Sequence, residues 1–372
     1  AIAPIESDAA ALAAFAAAAR ALLDGQPRPV VLADIAVNRC GAEPELHRLL
    51  ADGDLAFASL LWGRRVIDES DPNYLGVYVG AASDPAVRAA IEAAPRLITA
   101  GVYFTDLTSG FFSQHLDDAH RVDLLPHTAV VAGRTFAEVE LRDALGVLAG
   151  ILRTGERQHG GPGMPAPVAP ELSTSALTQQ QLWHVVSDAL KPGDVVFADQ
   201  GTAFYGMGSH RLHRDVLFVG QPLWASIGYT LPAVLGAALA APERRPVLLI
   251  GDGAAQLSIA ELGTIIRLDV PALILIVNNG GYTVERAIHG PGRRYNDISR
   301  WCWIDLPAAF GAPASTLSLR VETAAALDAA LQEAAAHPDS LTLIEAVVDP
   351  LDVPPLLTAL AAAAAAANSR PS

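Results

Sequence analysis

The stretch PVLLIGDGAAQLSIAELGTIIRLDVPALILIVNNGG, residues 246–281, holds two unbroken aliphatic runs separated by a segment with helical spacing. Short apolar runs bounded by Gly and Asn read as strands buried on both faces, and SIAELGTIIRL reads as the helix that crosses between them. Strand, helix and strand in this order make two parallel neighbours. Each run ends on polar residues: Asp252 between two glycines, then Asn278 and Asn279. Alone, Asp-Gly is a common turn and an Asn pair a common loop, and neither needs any chemistry. Together, at the carboxyl ends of adjacent strands, they lie where open parallel sheets bind ligands. A carboxylate, an amide oxygen and glycine carbonyls form a hard-oxygen site for a small cation. Magnesium takes one or two protein carboxylates and completes its shell with phosphate oxygens and water. The helix after Gly253 aims its first amides at the same place, which suits an anion. Metal plus diphosphate is the implied ligand.

The surrounding chain repeats this grammar. Downstream of residue 177 come a helix at 178–190, the strands DVVFADQG and DVLFVG, a helix after Ile227, the decisive stretch itself, and the strand SLTLIEAVVD. The alanine-rich tail LLTALAAAAAAANSRPS favours a helix that frays into polar residues. Upstream, a helix over 8–23 ends at Gly25 and Pro27. Four apolar runs follow: RPVVLADIAVN, LAFASLLWG, PRLITAGVYFTD and RVDLLPHTAVV. Alternating apolar and helical segments predict a parallel sheet with helices on both faces. None of these runs leads into GxGxxG, so the first domain lacks a dinucleotide fingerprint. Between the halves, RQHGGPGMPAPVAPELSTSAL is rich in Gly, Pro and Ser and reads as a linker. The expected class is α/β with two doubly wound parallel-sheet domains, 1–156 and 178–372, joined by the linker 157–177.

Composition excludes several functions. With 372 residues, two domains are expected; a formal charge of -15 argues against a phosphate-backbone partner. The two cysteines, Cys40 and Cys302, form no CxxC and suggest neither a disulfide framework nor a zinc site. A reducing cytoplasm is the expected location. The uncharged stretch 223–241 is long enough to resemble a membrane span, but its Pro232, Gly228 and small residues predict a buried core helix. The N-terminus has no basic segment before its alanines and does not read as a secretory signal.

Longer stretches carry a family resemblance. FADQGTAFYG, FVGQPLWASIGYTLPA, GDGAAQLSIAELGTIIR and NNGGYTVERAIHGPGRRYNDI, with NYLGVYVGAASDP and GVYFTDLTSGFF in the first half, resemble the thiamine-diphosphate-dependent 2-oxo acid decarboxylases. Within that family they are most similar to the indolepyruvate, phenylpyruvate and branched-chain 2-oxo acid decarboxylases. The resemblance covers essentially the whole chain and implies a middle domain followed by a diphosphate-binding domain. It implies thiamine diphosphate and Mg²⁺ as cofactors, with Asp252, the Asn279 side chain and the Gly281 carbonyl as metal ligands. Ile227 would be the wedge that bends thiamine so that its amino group meets the reactive carbon, a matter of proximity. Ala225 would accept a hydrogen bond from that amino group through its carbonyl, and Ser226, Gly251, Gly253, Ala254, Tyr282 and Thr283 would complete the contacts. Glu285 would face the substrate and manage the proton after CO₂ leaves, the electrons being held by the cofactor. Its bland alternative is a helix-face glutamate paired with Arg286 or Arg293. Gln200, Phe204, Tyr205 and Val284 match positions that shape the substrate pocket, although an aromatic pair after a glycine is ordinarily core packing. The implied substrate is a bulky apolar 2-oxo acid, either an arylpyruvate or a branched-chain acid.

The match has a gap. The family's N-terminal domain binds the aminopyrimidine and supplies an activating glutamate and an adjacent histidine pair. The ten histidines here include no such pair. The chain is therefore expected to hold only the diphosphate half of the site, to be inactive alone, and to need a pyrimidine-binding domain from the same or another polypeptide. An oligomer, a dimer or dimer of dimers such as a homotetramer, follows from the way the family builds its sites between subunits. The alternatives are a related thiamine-diphosphate carboligase or lyase, and a noncatalytic cofactor-binding subunit.

Overall fold

A computed structural model describes residues 5–153 and 172–369. The chain divides into two compact units, one ending at Ala166 and the other beginning at Pro167. Most of the segment expected to be a linker, residues 157–171, lies outside the described residues. Its end is bound into the second unit: Ala176 forms an antiparallel bridge with Thr323, and the Leu177 amide donates to the Glu322 carbonyl at 2.8 Å.

The first unit is built on seven strands: β1 Val30–Ala33, β2 Phe57–Ser59, β3 Tyr74–Val77, β4 Leu97–Ala100, β5 Arg121–Leu125, β6 Thr128–Val131 and β7 Arg134–Ala137. Their order is β3-β2-β1-β4-β5-β6-β7. The first five are parallel, as expected of a doubly wound sheet, but β6 and β7 add antiparallel strands at one edge. RVDLLPHTAVV is thus not one strand but a hairpin turning at Pro126 and His127, with Leu125 opposite Thr128. The next turn, Ala132 and Gly133, has both residues at positive φ, 47° and 77°. That is the type I′ geometry whose twist matches the flanking strands. The helix Ala9–Leu23 starts at Asp8, whose carboxylate accepts from the Ala11 amide at 2.8 Å. Its buried Phe15, Ala19 and Leu23 recur every fourth residue and face the sheet's core.

The second unit contains β8 Asp194–Ala198, β9 Leu217–Val219, β10 Arg245–Gly251, β11 Leu273–Asn278, β12 Leu317–Val321 and β13 Thr342–Val347. All pairings are parallel, in the order β12-β13-β11-β10-β8-β9. From β8 the chain passes to β9 on one side and then returns to β10 on the other, so the winding reverses between β8 and β10. A crevice opens at the carboxyl ends of strands where winding reverses. The helix Gln179–Ala189 opens with a capping box between Thr178 and Gln181. The single crossover helix expected between β10 and β11 is two short helices, Asp252–Ser258 and Glu261–Arg267. The first begins at Asp252 itself, with Gly251 as its cap.

The uncharged stretch 223–241 departs from its expected burial. Residues 223–229 form a turn-rich loop, and the helix Thr230–Ala240 buries only Thr230, Leu231 and Val234. Leu239 is 61% exposed. The helix is apolar around its circumference yet covered on one side only, because a single sheet face lies beneath it. Among the described residues no helix is long and apolar enough to cross a membrane.

Candidate cofactor site

Four connections leave the carboxyl ends of the neighbouring strands β9, β8, β10 and β11, and the residues named as candidates lie on these loops or on the short helices that follow them. Register pairs Gly251 with Val277, so Asp252 and the Asn278–Asn279 pair emerge side by side. Asp252 is buried. Its Oδ1 accepts from the Gly253 amide at 2.7 Å and its Oδ2 from the Gly281 amide at 3.2 Å, tying the two loops together. Burial pushes the Asp252 carboxyl up to about 6, against the opposing pull of the Gly253, Gly280 and Gly281 amides and of Arg286. Burial outweighs them, with the neutral amides and then Arg286 as the smaller opposing effects.

The two asparagines have different tasks. Asn278 donates through Nδ2 to the buried Glu345 on β13 at 2.6 Å, and its Oδ1 accepts from the Gly280 amide at 3.3 Å. Asn279 is 3% exposed and its Oδ1 has no hydrogen-bond partner. A buried amide oxygen without a partner is costly and calls for a donor or a cation. Gly281, at φ 139°, has no room for a side chain, since a Cβ would strike the Asn296 carbonyl and come within 2.8 Å of Arg286 Nη2. Its own carbonyl accepts from the Thr283 amide at 3.2 Å. By contrast, Cβ atoms at Gly251 and Gly280 would meet nothing within 4 Å, which leaves open space beside Asp252.

Arg286, considered above only as a partner for Glu285, braces this loop instead. Its guanidinium donates to the carbonyls of Asn279 (3.1 Å) and Gly280 (2.8 Å), to Thr283 Oγ1 (3.3 Å) and to Asp297 (3.2 Å). Thr283 also donates to the Pro350 carbonyl at 2.8 Å, which makes its hydroxyl a structural group. Tyr282 lies against Gly253, whose Cβ would come within 2.6 Å of the ring. Ala254 is buried in the following turn.

Across the crevice, Ala225 adopts φ 48°, a left-handed conformation unusual for a residue with a Cβ. Ala225, Ser226 and Ile227 are exposed, as are Leu223, Trp224 and Tyr229. Asp199, at the end of β8, is buried and accepts from the Gly228 amide, the Thr230 amide and the Thr230 hydroxyl. Burial raises its carboxyl above the ordinary range, opposed by the Thr230 and Gly228 hydrogen bonds. The sequence reading assigns no role to Asp199 and none to Arg286 beyond pairing with Glu285; the positional signal for Asp199 is an aspartate ending a strand, as at Asp252.

The remaining candidates separate. Gln200 donates to the Tyr205 hydroxyl at 2.7 Å and keeps a buried Oε1 without a partner. Phe204 has no exposed surface and packs edge-on against Tyr205 and tilted against Phe218. It plays the packing part within this unit, and a Cβ on Gly220 would collide with its ring. Val284 and Glu285 lie half-buried on the helix Thr283–His289. Glu285 pairs with His289 Nδ1 at 2.8 Å, not with Arg286 or Arg293, and its side chain is 43% exposed.

Among the described residues no group of three or more His, Cys, Asp or Glu is placed to hold a metal. A cation at Asp252 would meet one carboxylate, the open Asn279 oxygen and backbone carbonyls. That donor set fits a hard ion whose shell is completed by a ligand's own oxygens.

Comparison with known proteins agrees with this architecture. Residues 16–144 match the thiamine pyrophosphate enzyme central domain, and residues 199–346 match the C-terminal TPP binding domain of the same enzymes. The chain is 52% identical over 355 residues to an alpha-keto-acid decarboxylase of Mycobacterium avium (strain 104), covering 94% of this chain and 62% of that protein. It is 52% identical over 354 residues to that of Mycobacterium leprae (strain TN), with the same coverage. It thus spans about three fifths of the length of these relatives. The chain belongs to the thiamine pyrophosphate enzymes, of which it carries the central domain and the C-terminal domain that binds the cofactor.

Proposed function

We propose that this protein is a carboxy-lyase that removes CO₂ from a bulky apolar 2-oxo acid, an arylpyruvate or a branched-chain acid, using thiamine diphosphate and Mg²⁺. One juxtaposition carries the reading: the Asp252 carboxylate is held on the Gly281 amide while the buried Asn279 oxygen beside it is left without a donor. Asp252, Asn279 and the Gly281 carbonyl would hold Mg²⁺, and the open ground at Gly251 and Gly280 would admit the diphosphate. When bound, thiamine diphosphate supplies an electron sink for the bond broken as CO₂ departs.

The chain's own residues bind, orient and move protons. Ile227 and the Ala225 carbonyl would set the thiamine rings, with Ser226, Gly253, Ala254, Tyr282 and Thr283 lining the cofactor. Glu285 would hold or deliver the proton on the substrate side, with His289 fixing its carboxylate. Gln200, Tyr205 and Val284 would bound the substrate, with Phe204 backing them from the core. The exposed Trp224, Ile227 and Leu239 fit a surface met by a pyrimidine-binding domain and by further subunits. The free thiols Cys40 and Cys302 fit a cytoplasmic location.

The test is calorimetric titration of the protein with thiamine diphosphate and Mg²⁺, before and after Asp252→Ala, with release of CO₂ from phenylpyruvate, indolepyruvate and 4-methyl-2-oxopentanoate measured in parallel after a pyrimidine-binding domain is supplied. Retention should require both Mg²⁺ and Asp252. Unchanged binding in the variant would refute the metal site, and no CO₂ from any of the three acids once the pyrimidine-binding domain is supplied would refute the substrate class.

A further inference from the structure

The Ala225–Gly228 loop carries no regular structure, yet its last residue is held through both its amide and its carbonyl. The Gly228 amide lies 3.1 Å from both carboxylate oxygens of Asp199, and Asp199 Oδ2 also accepts from the Thr230 hydroxyl at 2.6 Å and the Thr230 amide at 3.3 Å. The Gly228 carbonyl accepts from Ser258 Oγ at 2.8 Å, at the end of the helix that begins with Asp252. Gly228 sits at φ 79°, and a Cβ there would come within 3.0 Å of the Ala254 carbonyl and 3.2 Å of Leu257 Cβ. The loop is therefore seated directly on the helix that leads away from the metal ligand. Asp199 is itself tied to the neighbouring strand, since its amide donates to the Leu249 carbonyl on β10 at 2.8 Å. A buried carboxylate that accepts several donors from one short segment holds that segment rigidly, because charge-assisted hydrogen bonds are stronger than neutral ones.

We propose that Asp199 is a positioning residue for the thiamine half of the cofactor: through Gly228 and Thr230 it sets the loop bearing Ala225 and Ile227 at a fixed height above the helix Asp252–Ser258. This rests on the thiamine diphosphate reading and divides the site into two separately held parts. Asp252 and Asn279 hold the diphosphate end. Asp199 on the Gly228 amide, with Ser258 on the Gly228 carbonyl, holds the end that meets the rings. The Asp199 carboxylate would act through Gly228 and Thr230, the donors it accepts from, and not on the cofactor itself.

The experiment compares two probes on the intact protein: thiamine diphosphate and inorganic pyrophosphate, each with Mg²⁺, titrated calorimetrically into wild type, Asp199→Asn, Asp199→Ala and Ser258→Ala. Asp199→Ala should weaken thiamine diphosphate binding at least tenfold while leaving Mg²⁺-pyrophosphate binding within about twofold. Asp199→Asn, which keeps one acceptor oxygen, should fall between wild type and Ala. Ser258→Ala, which removes the opposite anchor without disturbing a buried charge, should weaken thiamine diphosphate binding severalfold and spare pyrophosphate. It carries the test if Asp199→Ala does not fold. The near-ultraviolet circular dichroism of bound thiamine should change in each variant that still binds it. Equal affinity of wild type and all variants for thiamine diphosphate overturns the proposal, as does a parallel loss of both probes. Absence of binding to the wild type overturns the underlying cofactor reading instead.

Discussion

The Arg286 guanidinium donates to the carbonyl of Gly280 at 2.8 Å, from six residues further along the chain, so a buried cation braces the loop that presents Asn279. Its second branch reaches the Asn279 carbonyl itself. Replacing Arg286 with Ala should weaken Mg²⁺-dependent cofactor binding by about 10- to 100-fold, the usual effect of removing a group that orients metal ligands. Lysine should recover part of the loss, since a single ammonium cannot reproduce the planar fork. Calorimetry on both variants measures this, and equal affinities for Ala and Arg would remove Arg286 from the site.

Asn278 and Asn279 should respond in opposite ways. Asn278→Ala deprives the buried Glu345 of its amide donor and should cost about 1–3 kcal/mol of stability while leaving metal binding nearly intact. Asn279→Ala removes an oxygen that has no partner in the fold, so stability should hold while Mg²⁺ affinity drops. Denaturant unfolding and metal titration of the two variants form the check. Matching effects on both measurements would mean that the division of labour is wrong.

Acid should act on Asp252 in two directions. Metal binding needs the carboxylate, so affinity for Mg²⁺ and thiamine diphosphate should fall up to about tenfold per pH unit below about 6 rather than below the ordinary 3.8. For the cofactor-free protein the sign reverses. The raised carboxyl binds its proton more tightly when folded than when unfolded, so its stabilising contribution is complete below 3.8 and is lost as pH rises through about 6. Titrations between pH 5 and 8 test the first effect, and unfolding across pH 4 to 7 tests the second. Asp252→Asn should flatten both.

With the pyrimidine-binding domain supplied, Glu285→Gln should leave thiamine diphosphate binding within about twofold and reduce turnover of the preferred 2-oxo acid by about 100-fold or more, within the range for a lost acid-base group. Normal turnover would make Glu285 a surface partner of His289 and nothing more.

The sites most visible in sequence were those whose residues lie close together in it. Asp252 and Asn279 stand out because two aliphatic strands point to them, and both strands formed with that polarity at their ends. Asp199 shares with Asp252 the position of an aspartate ending a strand, but its role, like that of Arg286, depends on where the side chain is aimed, which composition and period do not show. The edge strands β3, β7 and β12 are not legible in the sequence because short, partly exposed strands lack the apolar run that marks β10 and β11. The hairpin in RVDLLPHTAVV was hidden because apolar residues continue on both sides of Pro126 and His127, so the turn reads as part of a strand. Phe204 and Tyr205 look alike as pocket or core in any linear reading, and both are buried; their contacts differ, since Phe204 packs against rings while the Tyr205 hydroxyl accepts from Gln200.

The ties that shape the cofactor crevice have a kinetic consequence. Asp199 reaches Gly228 and Asp252 reaches Gly281, each across 29 residues. Closing loops of that size costs only about 0.6 kcal/mol more than closing loops half as long. Each tie closes once β8, β10 and β11 have paired, and neither waits for β12 or β13. In contact-order terms the crevice is a local structure within a larger sheet. It can be in place early in folding, ready for a ligand before the far edge of the sheet is complete.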